Sequence, residues 1–147
     1  MPSNKIKLGF VGGGNDSLIG VLHKVAAVMF DRYEIVGGVF SSNSKINIST
    51  ANDLGLDLSR VYNNYGEMAE LESKLDSNVK IEAVCILTPN FLHFPMAKTF
   101  LMNGFHVICE KPLSVTVERW QEYVVQANTL LQQAKSQQQE GDWAGYG

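Results

Sequence analysis

The sequence predicts an α/β fold, a parallel sheet with helices on both faces. Three observations carry that prediction. Apolar, strand-like runs alternate with helical patterns through most of the chain, which favours parallel strands joined by right-handed crossovers. The first run, Lys5–Val11, leads straight into Gly12-Gly13-Gly14, and a helical pattern follows from about Ser17. Polar clusters follow the C-terminal ends of predicted strands: the glycine turn, Ser41–Lys45, Thr88–His93 and Glu110–Pro112. That edge of an open parallel sheet is where ligands bind.

The glycine turn gives the first chemical indication. Glycine allows a sharp turn and a close backbone approach, and the following helix offers free N–H groups and the positive end of its dipole. Together they suit a pyrophosphate. The fingerprint G-x-G-x-x-G is met imperfectly, because Ser17 stands at the third glycine position and the next glycine is Gly20. Ser17 is then expected to cap the helix. Gly12, Gly14, Asn15 and Ser17 are the candidate phosphate-binding residues. The implied architecture is Rossmann-like and doubly wound, with strand order 3-2-1-4-5.

Taken in order, the strand over residues 5–11 is followed by a helix over 17–31. Leu18, Leu22, Val25 and Met29 share one face of it, and His23 lies close to the glycine turn. The second strand covers Tyr33–Phe40. An acidic residue after this strand would accept hydrogen bonds from the ribose hydroxyls of NAD. Here Ser41-Ser42-Asn43-Ser44-Lys45 follows instead. Hydroxyls plus a cation suit a 2′-phosphate, which tilts the reading toward NADP over NAD, with Ser41, Ser42 and Lys45 as its ligands. A weak helix runs from Ser44 to Gly55, and Arg60-Val61-Tyr62 is a short third strand. A helix over Glu67–Leu75 places Met68, Leu71 and Leu75 on one face. Ile81–Leu87 is a buried strand ending at Thr88-Pro89-Asn90. A helix over Phe91–Asn103 stops at Gly104. The last strand, Phe105–Cys109, ends in Glu110-Lys111-Pro112 and has a buried pattern that includes His106.

The bulk numbers exclude other classes. The chain has 147 residues, enough for one domain with a core, and a net charge of −3, which does not suggest a nucleic-acid or anionic-membrane surface. No apolar run reaches the roughly 20 residues of a membrane span. No apolar segment of a secretory signal follows Met1, so the expected location is cytoplasmic. Cys85 and Cys109 lie in apolar runs and read as buried reduced thiols. No metal-ligand spacing links them to the three histidines.

Three stretches carry a resemblance: the strand with its glycine turn, Thr88-Pro89-Asn90-Phe91-Leu92-His93, and Gly104-Phe105-His106-Val107-Ile108-Cys109-Glu110-Lys111-Pro112-Leu113. From about Ile6 to Val117 the chain resembles the N-terminal, NAD(P)-binding domain of the glucose–fructose oxidoreductase / inositol dehydrogenase / MocA family. Its Ser-Ser-Asn-x-Lys stretch resembles NADP-using members. The resemblance implies reversible hydride transfer between a nicotinamide and a hydroxyl-bearing carbon, usually in a sugar or polyol. It places Lys111 beside nicotinamide and substrate, where an ammonium stabilises the developing alkoxide. Glu110 would orient the lysine, and Pro112 would fix the turn, a cis peptide being one way to do so. Thr88, Pro89, Asn90 and His93 would border the nicotinamide half.

Members of that family continue into a sixth strand and a substrate domain with a catalytic histidine. Here the predicted Rossmann domain, residues 1–117, is followed by a helix and a Gln/Gly-rich tail, residues 118–147. The helix carries the stripe Val117, Trp120, Val124, Ala127, Leu131, Ala134, expected to pack on the sheet. Without the second domain the chain is expected to bind dinucleotide but turn over poorly. His106 does not replace the missing histidine. The uncovered edge of the Phe105–Cys109 strand invites a homo-oligomer. The competing reading is a non-enzymatic nucleotide-binding or assembly module. A flavodoxin-like or response-regulator domain calls for neither the glycine turn nor the Glu-Lys-Pro motif.

Overall fold

The structure, a computed structural model, describes residues 5–139. Four parallel strands form its sheet: β1 (Ile6–Gly12), β2 (Tyr33–Val39), β3 (Ala83–Leu87) and β4 (His106–Cys109), in the order β2-β1-β3-β4. The helices are α1 (Leu18–Met29), α2 (Ser44–Asp53), α3 (Tyr65–Ser73), α4 (His93–Met102) and α5 (Val117–Gln139). The order reverses between β1 and β3, so the C-terminal ends of these two strands flank the switch point.

Strand alternation sorts the core into two layers. Leu8 and Phe10 of β1 join Ala83 and Cys85 of β3, with Phe40 and Ala51, on the face that α1 and α2 cover. Val11, Val84 and Ile86 point the other way, against Met68, Met96, Ala97 and Phe100 of α3 and α4.

The five-strand order is corrected to four strands. Arg60-Val61-Tyr62 does lie beside β2, but only as a single parallel bridge between Val61 and Gly38. Asn47 explains why the ladder stops. Its side chain accepts from Phe40 N at 2.7 Å and donates to the Tyr62 carbonyl at 2.9 Å, taking groups that further pairing would use.

Two helices turn differently from their apolar patterns. In α1 the buried residues are Gly20 and Lys24, while Leu18, Leu22, Val25 and Met29 are exposed. In α3 the buried face is Met68, Ala69 and Glu72, and Leu71 is exposed, as is Leu75 beyond the helix. A 3-10 turn, Asn90–Leu92, opens the segment expected to be all α-helix before α4. His106 is exposed rather than buried, because β4 is an edge strand.

α5 does not pack its apolar stripe on the sheet: Val117, Trp120 and Val124 are exposed. It meets α4 through Tyr123, stacked on Phe94, and through a Lys98–Gln126 hydrogen bond of 3.2 Å. The side chains of Leu131 and Ala134 in that stripe, and the tail from residue 140 onward, lie outside the described residues. No helix among the described residues is long and apolar enough to cross a membrane.

Candidate dinucleotide site

The glycine turn leaves β1 with Gly12 at φ 82° and Gly13 at φ 73°, a left-handed geometry that glycine adopts without strain. A Cβ on Gly12 would stand 2.8 Å from the Leu87 carbonyl oxygen of β3. Ser17 is the N-cap of α1, accepting from Gly20 N at 3.1 Å. Gly20 then touches the turn itself: a Cβ there would fall 2.4 Å from Gly13 Cα. Gly20 therefore performs the close helix-to-turn packing that the third fingerprint glycine would provide.

Asn15 braces this turn from behind. Its backbone N donates to Thr50 Oγ1 at 3.1 Å, its Nδ2 donates to Asp53, and its Oδ1 accepts from Lys24 Nζ at 3.1 Å. Lys24 is only 7 % exposed. Burial pulls its ammonium below the usual lysine range, and Asp53 and Asp16 partly restore it.

Above the turn opens a cavity of about 530 Å³. Its floor is Gly12, Gly13 and Gly14, with Asp16 beside them. Ser41 and Ser42 line one side, and Asn63, Asn64 and Tyr65 extend it. Thr88, Pro89, Phe91 and Met96 close the other side. Positive-φ glycines beneath a cleft next to the start of a 12-residue helix form a cradle that fits a pyrophosphate. The shape also suits an extended ligand reaching from the end of β2 to the end of β3.

Of the residues predicted from sequence, Gly12, Gly14, Ser41, Ser42, Thr88 and Pro89 line this cavity. Asn15, Ser17, Lys45, Asn90, His93, Glu110 and Lys111 are not among its lining residues. Asn15 is committed to its brace and Ser17 to its cap. Lys45 lies in the first turn of α2, its backbone N donating to Asn43 Oδ1 at 3.0 Å. His93 is 2 % exposed, with both ring nitrogens against backbone carbonyls. Asn63, Asn64, Tyr65, Asp16 and Gly13 are lining residues that the sequence reading did not select. Gly13 carried a signal within the glycine run, and Asn64 is the N-cap of α3.

Glu110 and Lys111 sit on the turn after β4. Glu110 Oε1 accepts from His23 Nε2 at 2.8 Å, and Oε2 accepts from Lys111 N at 3.1 Å. The His23 hydrogen bond, then the Lys111 amide, hold the carboxyl below its ordinary range. The Lys111–Pro112 peptide is cis.

These features coincide with an existing family. The family model described as an oxidoreductase family with an NAD-binding Rossmann fold, GFO_IDH_MocA, matches residues 6–136. The chain belongs to this Gfo/Idh/MocA family. The uncharacterized oxidoreductase YfiI of Bacillus subtilis is 36% identical over 121 residues, covering 82% of this chain and 30% of the relative. An oxidoreductase from Sinorhizobium meliloti aligns with 50% identity and a TM-score of 0.70, over 76% of this chain and 30% of that one. An inositol dehydrogenase homolog from Azotobacter vinelandii, solved with NADH and myo-inositol, gives 30% identity and a TM-score of 0.74 over 95% of this chain and 40% of that one. The chain thus spans 30–40% of the length of these relatives. What it shares with the Gfo/Idh/MocA family is the NAD-binding Rossmann fold.

Proposed function

We propose that the cavity binds a nicotinamide dinucleotide, with the pyrophosphate over Gly12–Gly14 and the adenosine ribose toward Ser41 and Ser42. The observation that carries this reading is the positive-φ glycine turn opening into the cavity at the switch point. The nicotinamide end would lie toward Thr88 and Pro89. The A. vinelandii relative solved with NADH supports the choice of ligand.

Within a longer oxidoreductase the bound dinucleotide would accept or donate hydride at a CH–OH carbon of a sugar or polyol. The exposed Lys111 ammonium stabilises the alkoxide as the hydroxyl proton leaves to a base outside this chain, and Glu110 positions the lysine turn. By itself the chain binds and turns over poorly. Residues 1–117 act as the cofactor unit, and residues 118–147 follow it as a C-terminal helix and tail.

The preference for NADP(H) rests on Ser41, Ser42 and Lys45, and on the lack of a carboxylate directly after β2. Asp16, beside the same cavity, adds a negative charge that opposes a 2′-phosphate. Calorimetric titration with NAD(H) and NADP(H), on the native chain and Lys45→Ala, tests both levels. Micromolar binding supports the dinucleotide reading, and tighter NADP(H) binding weakened by Lys45→Ala supports the 2′-phosphate assignment. Binding of neither cofactor rejects both. A second reading, an assembly module, draws on the exposed apolar face of α1.

A further inference from the structure

Lys111 is the residue whose position matters most to the proposed chemistry, yet its ammonium makes no hydrogen bond among the described residues. Its neighbours on either side are both tied to histidines. Glu110 is held by His23 of α1, at 2.8 Å. The Pro112 carbonyl is held by His93 Nδ1 of α4, also at 2.8 Å. The two helices lie on opposite faces of the sheet, so the turn is gripped from both sides.

Each histidine also makes a second connection. His93 Nε2 stands 2.7 Å from the Thr88 carbonyl, and Thr88 lines the cavity. One buried ring thus joins the cavity wall after β3 to the lysine turn after β4. A ring with both protons donates to both carbonyls; with one proton it satisfies only one of them. His23 Nδ1 lies 3.6 Å from the Cys85 thiol, which leaves Nε2–H to donate to Glu110. Glu110 passes this on through its other oxygen, which accepts from Lys111 N.

We propose that His23 and His93 are positioning residues that fix Lys111 relative to the cavity, one through Glu110 and the other through Pro112 and Thr88. Neither needs to touch the ligand. The ligand half of the test rests on the dinucleotide reading; the exchange half does not.

The test compares His23→Leu, His23→Gln, His93→Leu and His93→Gln in the full chain. It measures hydrogen exchange at the Lys111 amide and affinity for both NADH and ADP-ribose, which lacks the nicotinamide end. The glutamine amide retains N–H donors, so it should rescue what leucine loses. His23 is about one-third exposed, so its leucine variant should fold. If His93→Leu does not fold, His93→Gln carries that half of the test. The expected result for each leucine variant is Lys111 exchange faster by about tenfold and NADH affinity lower by about tenfold, with ADP-ribose affinity unchanged. His93→Gln should match the native chain. Folded leucine variants with native exchange, equal losses for NADH and ADP-ribose, or a His93→Gln variant that behaves like a deletion would overturn the inference. If the native chain binds neither ligand, the dinucleotide reading fails, and the Lys111 exchange rates alone still decide for or against the histidines.

Discussion

Arg60 and Glu72 form a forked ion pair inside the protein. Arg60 Nη2 lies 2.7 Å from each carboxylate oxygen, and Nε donates to Oε1 at 3.0 Å. Glu72 is fully buried. Tyr62 Oη donates to it at 2.6 Å and Ile81 N at 2.9 Å, so the carboxylate has few lone pairs left over. Burial, then the bond to Glu72, pushes the Tyr62 phenol upward. The group ties together the bridge at Val61, α3 and the approach to β3. Glu72→Gln removes the charge but keeps the shape, leaving Arg60 without its counter-ion. The expected cost is about 3–5 kcal/mol, read from the urea midpoint. A loss below about 1 kcal/mol would mean that water compensates the pair as at a surface.

Gly20 and Gly55 give a controlled comparison within the same fold. An added methyl at Gly20 would meet Gly13 Cα at 2.4 Å, with backbone atoms that cannot move aside. Gly20→Ala should therefore push α1 off the turn, destabilise the fold by about 1–3 kcal/mol, and abolish measurable dinucleotide binding. At Gly55 a methyl would have nothing within 4 Å, but φ is 66°. Gly55→Ala should cost about 1–2 kcal/mol from backbone strain alone and leave binding intact. Thermal melts and calorimetry on the two variants separate ligand loss from loss of stability.

The same glycines show what was legible in the sequence. Strand, glycine turn and capped helix are local features, and their order points to the candidate site. The face of α1 was not legible. Leu-Ile-Gly-Val-Leu-His-Lys-Val-Ala-Ala-Val-Met is apolar at nearly every position, so apolar periodicity cannot choose a face. The choice is made by contacts between the helix and the turn before it, which apolar periodicity does not register: the Gly20–Gly13 approach, and Lys24 reaching Asn15. Glu72 likewise reads as a surface residue until Arg60 and Tyr62 are folded against it. Arg60-Val61-Tyr62 looked like a strand because its residues suit one, but Asn47 occupies the backbone groups that a longer ladder needs. Asn15 is a candidate phosphate ligand from its place in the turn, and the fold adds three structural partners that the sequence does not display.

The thiols and Glu110 respond to pH in opposite senses. Burial first, then the nearby Glu110 and Cys109, pushes the Cys85 thiol up to about 12. The fold therefore disfavours its thiolate. The corresponding stability is complete below the unfolded thiol's pKa, near 8.5, and is lost as pH climbs toward the folded value. At pH 8 a thiol reagent should modify Cys85 no faster than the chain unfolds, while half-buried Cys109 reacts sooner. Absorbance of the released thiolate, with and without urea, measures this, and prompt reaction of both thiols in the native chain would contradict the burial. Glu110 is depressed instead, so its contribution is present above the unfolded glutamate value and lost as pH falls through the lower folded one. Glu110→Gln should flatten that part of the acid limb of the stability curve.

The outward face of α1 carries Leu18, Leu22, Val25 and Met29 at 74, 56, 52 and 63 % exposure, and Phe30 just beyond the helix at 77 %. A continuous apolar surface of this kind drives association in water. The sheet edge at β4 offers a second route, but it is only four residues long and twisted edges of that length pair weakly. Helix-face association is therefore the expected mode. Light scattering over a concentration series should give a mass above that of one chain. Leu22→Glu with Val25→Glu should return the protein to a monomer without lowering its melting temperature, since neither side chain belongs to the core. A lysine at Ile108, on the edge strand, should leave the mass unchanged. If Ile108→Lys separates the chains and the α1 double variant does not, the strand edge is the interface, and the apolar face of α1 has another role.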